Sequence, residues 1–185
     1  MSLTGQRITA EEYFALPPDE SFTQLIDGEI VVNQPAMRHQ LIAGWLYHRL
    51  QLWVEAAPAR GLACMPVDVV LDQGNVFAPD AWWVAEVHRP ERGARRLVGP
   101  PDLAVEVRSP STWRYDVGAK KANYERSGLP ELWLVDPEAE VVLVHRRSTR
   151  ESPVFDVSLD LGVGDELTSP LLAGFTVAVS QIFDR

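Results

Sequence analysis

Leu103-Ala104-Val105-Glu106-Val107 is an apolar strand run interrupted by one carboxylate, and the interruption governs how the rest of the chain is read. Side chains alternate faces along a strand, so Ala104, Glu106 and Arg108 share one side while Leu103, Val105 and Val107 share the other. A lone carboxylate in such a run is costly to bury without a partner. Glu106 is therefore expected to face solvent, an arginine or a metal, and pairing with Arg108 at the rim of the sheet is the ordinary alternative. Upstream stands Pro79-Asp80; downstream Lys120 falls on a predicted helix. Two carboxylates converging on one divalent cation, with an ammonium beside them, can hold a phosphate and activate a water against it. The order Asp80, Glu106, Lys120 thus suits a metal-dependent phosphodiesterase. Asp80 alone reads equally as a turn or strand-end cap, and Lys120 as the exposed partner of Asp116 one helical turn earlier.

The flanking sequence alternates helices and strands in an α/β (α+β) pattern. Thr9 with Glu12 reads as a capping box opening a short helix that Pro17-Pro18 closes. A strand over Phe22–Ile26, the turn pair Asp27-Gly28 and a strand over Glu29–Val32 give a strong hairpin signal. From Ala36 to Glu55, Leu41, Ile42, Trp45, Leu46, Leu50 and Trp53 recur at helical spacing and predict a long helix with that stripe on the core. Pro66, inside the apolar segment Leu62–Leu71, predicts an edge or a bulge. Gly74-Asn75 turns the chain into a segment from Phe77 to Glu86, and an Arg/Gly/Pro-rich loop runs to Pro100-Pro101. A helix over Asp116–Arg126 ends at Gly128, with Pro130 behind it. Strands at Leu132–Val135 and Val141–His145 follow, then short candidates around Val154–Val157 and Phe175–Val179. No repeat, low-complexity tract or linker interrupts the chain. With 185 residues and 46% hydrophobic composition, one domain spanning 1–185 is expected.

A formal net charge of -9 counts against broad nucleic-acid affinity, because phosphate neutralisation must then come from local basic patches. Arg89, Arg92, Arg95 and Arg96 in one loop, and Arg146, Arg147 and Arg150 after a strand, are either such patches or ordinary solvated turns. The single cysteine, Cys64, excludes an internal disulfide and reads as a buried thiol in a reducing compartment. No signal peptide and no apolar run near the roughly 20 residues of a membrane span occur, so a soluble, cytoplasmic protein without membrane contact is expected. His39, His48, His88 and His145 show no zinc-site spacing, and the phosphate-loop, dinucleotide and serine-hydrolase motifs are absent. Alternation at Trp82-Trp83 places one ring in the core and the other facing out, to stack on a base or cover a subunit interface. With six tryptophans in the chain, a two-fold homodimer is expected.

An ordered set of short motifs resembles the Uma family of "putative restriction endonucleases", a branch of the PD-(D/E)XK nuclease superfamily. The residues that carry it are Gln24-Leu25-Ile26-Asp27-Gly28-Glu29-Ile30, His39, Pro79-Asp80, Gly99-Pro100-Pro101-Asp102-Leu103-Ala104-Val105-Glu106-Val107 and Ser109-Pro110-Ser111-Thr112. They continue through Asp116, Lys120, Tyr124, Gly128-Leu129-Pro130-Glu131 and Leu132-Trp133-Leu134-Val135-Asp136-Pro137. The resemblance implies a restriction-endonuclease-like core, a central mixed β-sheet flanked by helices. It implies a Mg²⁺- or Mn²⁺-dependent DNA endonuclease with Asp80 and Glu106 as metal ligands and Lys120 as the catalytic cation. Gln24, Glu29, His39, Arg108, Ser109, Ser111, Asp116 and Tyr124 would surround the site. Two positions depart from the pattern: Gln24 stands where the family has a glutamate, and an amide is the weaker ligand for a hard cation. Arg108 stands at the superfamily's usual lysine position, as a surrogate cation or a salt-bridge partner, and not as a base. A non-catalytic nucleic-acid- or protein-binding member of the same fold is the alternative these departures favour.

Overall fold

The computed structural model describes residues 7–17, 22–33, 35–109 and 113–184. Helix α1 (Ala10–Ala15) opens on a capping box: Glu12 N–H donates to Thr9 Oγ1 at 3.3 Å, and Thr9 N–H to Glu12 Oε2 at 2.7 Å. Strands β1 (Phe22–Ile26) and β2 (Glu29–Asn33) form the expected hairpin. Its two-residue turn needs positive φ at both positions, and Asp27 (49°) and Gly28 (81°) supply it.

Helix α2 (Met37–Glu55) buries His39, Ile42, Ala43, Leu46 and Leu50. That stripe corrects the sequence pattern at one point: Leu41 is exposed, because the 3.6-residue period centres the buried face on 39, 42/43, 46 and 50. Trp45 and Trp53 pack only partly against the core. Strands β3 (Leu62–Cys64), β4 (Val69–Asp72), β5 (Asn75–Phe77) and β6 (Ala81–Val84) follow. Pro66 therefore lies in the crossing between strands of two different sheets, and the irregular register falls instead at Val70–Asp72. Cys64 is half-buried. The turn precedes Asn75, which already pairs in β5, and Pro79 breaks the segment expected from Phe77 to Glu86 into β5 and β6.

Strands β7 (Leu97–Val98) and β8 (Leu103–Val107) lead to a helical segment: α3 (Trp113–Tyr115), a π-helical turn over Asp116–Lys120, and α4 (Lys121–Ser127). It ends at Gly128, which is left-handed at φ 88°. Strands β9 (Glu131–Asp136), β10 (Val141–Arg146), β11 (Val157–Leu161), β12 (Glu166–Thr168) and β13 (Thr176–Ala178) precede helix α5 (Val179–Phe183). The strand expected near Val154 thus begins at Val157.

Two main sheets result, ordered β2-β1-β5-β4-β7 and β11-β10-β9-β8-β6-β3. The larger is mixed: β8 runs parallel to β9, joined through the helical segment, while its other pairs are antiparallel. Central parallel strands are covered on both faces, and every residue of β8 and β9 is buried. Leu103, Val105 and Val107 pack with Ile42, Leu46 and Leu50 of α2 on one face. Each such side chain contributes about 1.5–3 kcal/mol by leaving water. On the other face Ala104, Leu132 and Leu134 meet Tyr124, Phe77 and Ile26. Both Trp82 and Trp83 are buried, in two different clusters, so the homodimer expectation loses the outward tryptophan on which it rested. Among the described residues no helix is long and apolar enough to cross a membrane.

Candidate active site

The register Ala81↔Val105 between β6 and β8 sets Asp80 beside Glu106 at one end of the larger sheet. Val107 N–H donates to Asp80 Oδ2 at 2.7 Å, and His39 Nε2, from the first turn of α2, lies 3.2 Å from the same oxygen. Gln24 from β1 steadies the loop before Asp80, its Oε1 accepting the Ala78 N–H at 3.1 Å. Glu106 turns to the opposite neighbour: its Oε1 receives Lys120 Nζ at 2.6 Å and the Tyr124 hydroxyl at 2.7 Å. Lys120 Nζ also lies 3.1 Å from Asp116 Oδ1. All of these side chains are buried; Lys120 is 1% exposed and Glu106 3%. Asp116 and Lys120 do form the four-residue helix pair read from the sequence, but in the interior, with Glu106 as a third member.

The π-helical turn explains how one short segment delivers both ends of that pair. Lys121 N–H donates to Asp116 O, five residues back, which widens the turn just where Asp116 and Lys120 face β8. Lys121 points elsewhere, its ammonium 5.7 Å from the Phe155 ring. Arg108 is also directed away. It bonds Asp136 at 2.8 Å and Glu138 at 2.9 Å, so it serves as a salt-bridge partner and does not pair with Glu106. Ser109 is buried where the helical segment begins, its carbonyl accepting Trp113 N–H at 3.1 Å. Glu29 is exposed at the hairpin turn opposite Ile26, apart from the buried group, and Ser111 lies outside the described residues.

Three residues join the arrangement without having been singled out from the sequence. The Phe77 ring meets Tyr124 edge-on at 5.1 Å and lies 5.5 Å from Lys120 Nζ. Asn123 Nδ2 donates to Asn75 Oδ1 at 2.8 Å and to Asp27 Oδ1 at 3.0 Å, while Asn75 Oδ1 also accepts the Asp27 N–H at 3.0 Å. This amide network fastens α4, and with it Lys120 and Tyr124, to the hairpin and β5.

The electrostatics are those of crowded acids. Burial, opposed by Lys120 and reinforced by the charges of Asp116 and Asp80, pushes the Glu106 carboxyl up to about 8. Burial pulls Lys120 down, but Asp116 and Glu106 outweigh it and hold the ammonium above the ordinary lysine value. Burial likewise lowers His39, yet its bond to Asp80 and the charges of Asp80 and Glu106 leave it above the ordinary histidine value. Burial and the neighbouring Glu106 raise the Tyr124 phenol well above its usual value, so it stays a neutral donor. The carboxyls of Glu106 and Asp116 thus share the Lys120 ammonium, while Asp80 faces His39. Among the described residues no group of three or more His, Cys, Asp and Glu side chains is arranged as a metal cage. Mg²⁺, however, is commonly held by one or two carboxylates, with water and substrate phosphate completing its shell. Asp80 and Glu106 fit that role: among the described residues their bonds fall on Oδ2 and Oε1, which leaves the other hard oxygen of each for a cation.

A family model described as "Uma2: Putative restriction endonuclease" matches residues 10–180. The chain belongs to the Uma2 family. Its fold is similar to the crystal structure of "a putative nuclease belonging to DUF820" from Anabaena variabilis ATCC 29413, with a TM-score of 0.81 at 20% identity, over 95% of this chain and 97% of that one. No curated protein matches the sequence. The Uma2 chain therefore has a mixed α/β fold with a central mixed sheet flanked by helices, a restriction-endonuclease-like core.

Proposed function

We propose that this Uma2 protein is a Mg²⁺- or Mn²⁺-dependent DNA endonuclease that hydrolyses phosphodiester bonds, with Asp80 and Glu106 holding the cation. The observation that carries the reading is the buried Glu106–Lys120–Asp116 group set against Asp80, whose carboxyls are so crowded that Glu106 is pushed up to about 8 and holds a proton that a bound cation would displace. Bound there, the cation would polarise the phosphate and lower the pKa of a bound water. Val107 N–H and His39 fix the rotamer of Asp80, and Tyr124 fixes that of Glu106. The charges that hold the Lys120 proton make it a poor base. Its ammonium has three donors; one bonds Glu106 Oε1 while Asp116 Oδ1 lies 3.1 Å away as an ion-pair partner, and the ammonium would orient a water or stabilise charge growing on a phosphate oxygen.

The test is cleavage of plasmid and short duplex DNA with Mg²⁺ or Mn²⁺, against EDTA and against Asp80→Asn and Glu106→Gln. Metal-dependent nicking by the wild type alone is expected. If the wild type leaves DNA intact with both metals, the non-catalytic reading replaces this one. The amide of Gln24 at the site's edge and the net charge of -9 are what favour that second reading.

A further inference from the structure

A cavity of about 350 Å³ opens directly beside Asp80, and its wall has a different chemistry from the carboxylate group. Tyr13, Thr23, Gln24, Gln40 and Asp68 line it together with Asp80, and among the described residues no lysine, arginine or histidine does. A phosphate inside it would meet the carboxylates of Asp80 and Asp68, the first already facing His39. The cavity is therefore suited to the uncharged part of a nucleotide adjoining a phosphate at Asp80. Its polar groups are set up for hydrogen bonding: Gln24 spends its Oε1 on Ala78 N–H, which leaves its NH₂ as a donor. Tyr13 brings an aromatic ring held in place by its hydroxyl, which donates to Thr23 O at 2.9 Å. Asp68 is half-buried; burial pushes its carboxyl above the ordinary value, opposed by the charge of Arg96. Among the described residues no hydrogen bond falls on that carboxyl.

We propose, resting on the nuclease reading above, that this cavity binds an unpaired guanine base next to the scissile phosphate. An ionised carboxylate only accepts, through two oxygens. Of the four bases, guanine alone presents two adjacent donors, N1–H and the N2 amine, on its Watson–Crick edge. Asp68 accepts both, the amide NH₂ of Gln24 or Gln40 donates to O6, and the Tyr13 ring offers a stacking surface. The edge so read is covered in a duplex, so the substrate is a single strand or a nucleotide turned out of the helix.

The test measures binding without cleavage. Fluorescein-labelled oligothymidylate strands, each with one central dG, dA or dC, are titrated with wild type, Asp68→Asn and Gln40→Ala in Ca²⁺. The dG strand is expected to bind the wild type at least about tenfold more tightly than the others, as a bidentate contact allows. Asp68→Asn should remove most of that preference while leaving the melting temperature near the wild-type value, and Gln40→Ala should reduce it less. Equal affinity for all strands, or a dG preference that survives Asp68→Asn, overturns the proposal. Since no cleavage is read, absent hydrolysis with Mg²⁺ would remove the nuclease reading while a dG preference remained measurable. Cleavage without any base preference would remove only the guanine site.

Discussion

Lys120 is a buried cation between two carboxylates, and removing it is a different event from removing one end of an exposed helix pair. Truncation leaves Glu106 and Asp116 facing each other in the interior, at a cost of about 3–5 kcal/mol. Lys120→Ala is therefore expected both to abolish metal-dependent DNA cleavage and to lower the urea midpoint markedly. Activity is to be compared at a temperature where every variant is folded. Arg108→Ala removes a partly exposed bridge to Asp136 and Glu138 and should cost about 1–2 kcal/mol, with most cleavage retained. Lys121→Ala should leave both properties near wild type. Full cleavage by Lys120→Ala alongside its loss in Arg108→Ala would transfer the cationic role to the strand arginine. Tyr124→Phe is the finer probe: it removes only the hydroxyl that holds Glu106 Oε1, so cleavage should fall while the ring keeps its packing against Phe77.

Among the elements, the join of β3 to β6 is the least forgiving. Gly61 has φ 81°, and a Cβ there would sit 1.9 Å from Val84 O, a backbone atom of the strand that β3 pairs with. Gly61→Ala combines left-handed strain of about 1–2 kcal/mol with that collision, and should destabilise by more than about 2 kcal/mol in urea. Gly44→Ala, within α2 with nothing inside 4 Å of the new carbon, is expected instead to stabilise by about 0.4–1 kcal/mol. Glu131, at the start of β9, ties the sheet to the C-terminal elements by accepting Trp133 Nε1–H at 2.6 Å and Ser169 Oγ–H at 2.9 Å. Burial raises its pKa above the ordinary value, with those bonds and Arg146 opposing. An acid with a raised folded pKa binds its proton more tightly when folded, so its stability contribution is full below the unfolded pKa and declines as pH rises through the folded one. The melting temperature of Glu131→Gln should therefore gain on the wild type as pH rises from about 4 toward 7; parallel profiles would refute this. What was readable in these elements was local. An apolar run broken by one carboxylate marked Leu103–Val107, the Asp27-Gly28 pair marked the hairpin, and Gly128 marked the helix end. The π-helical turn was not readable, because Asp116, Gly118 and Lys120 carry no intrinsic preference for it and it exists to meet Glu106. The same holds for Asn75 and Asn123, whose amides matter only once the hairpin, β5 and α4 are assembled. Asp80, Glu106 and Lys120 were readable as an ordered trio of charges, but not the burial that crowds them into one interior group.

At the scale of the whole molecule, the question is where a protein of net charge -9 finds cations for a nucleic acid. Most of its described arginines are already engaged. Arg38 pairs with Glu140, Arg89 with Glu86, and Arg108 with Asp136 and Glu138. Arg60 lies over Trp53 and Arg96 over Phe14, while Arg147 is spent on the carbonyls of Glu125, Leu129 and Ser152. Lys120 is enclosed. Each phosphate neutralised by a protein cation adds about 0.7–0.9 to the slope of log affinity against log salt. Few available cations mean few released counterions, so binding of single-stranded DNA in Ca²⁺ should weaken only gently with salt, with a slope of magnitude about 1–3. Fluorescence anisotropy at increasing KCl measures it. A slope near 6 or steeper would show that the arginines around residues 89–96 or 146–150 form a basic track after all, and affinity would then lie in the backbone instead of the base. A shallow slope is what a site that grips its substrate through one base and one scissile phosphate must give.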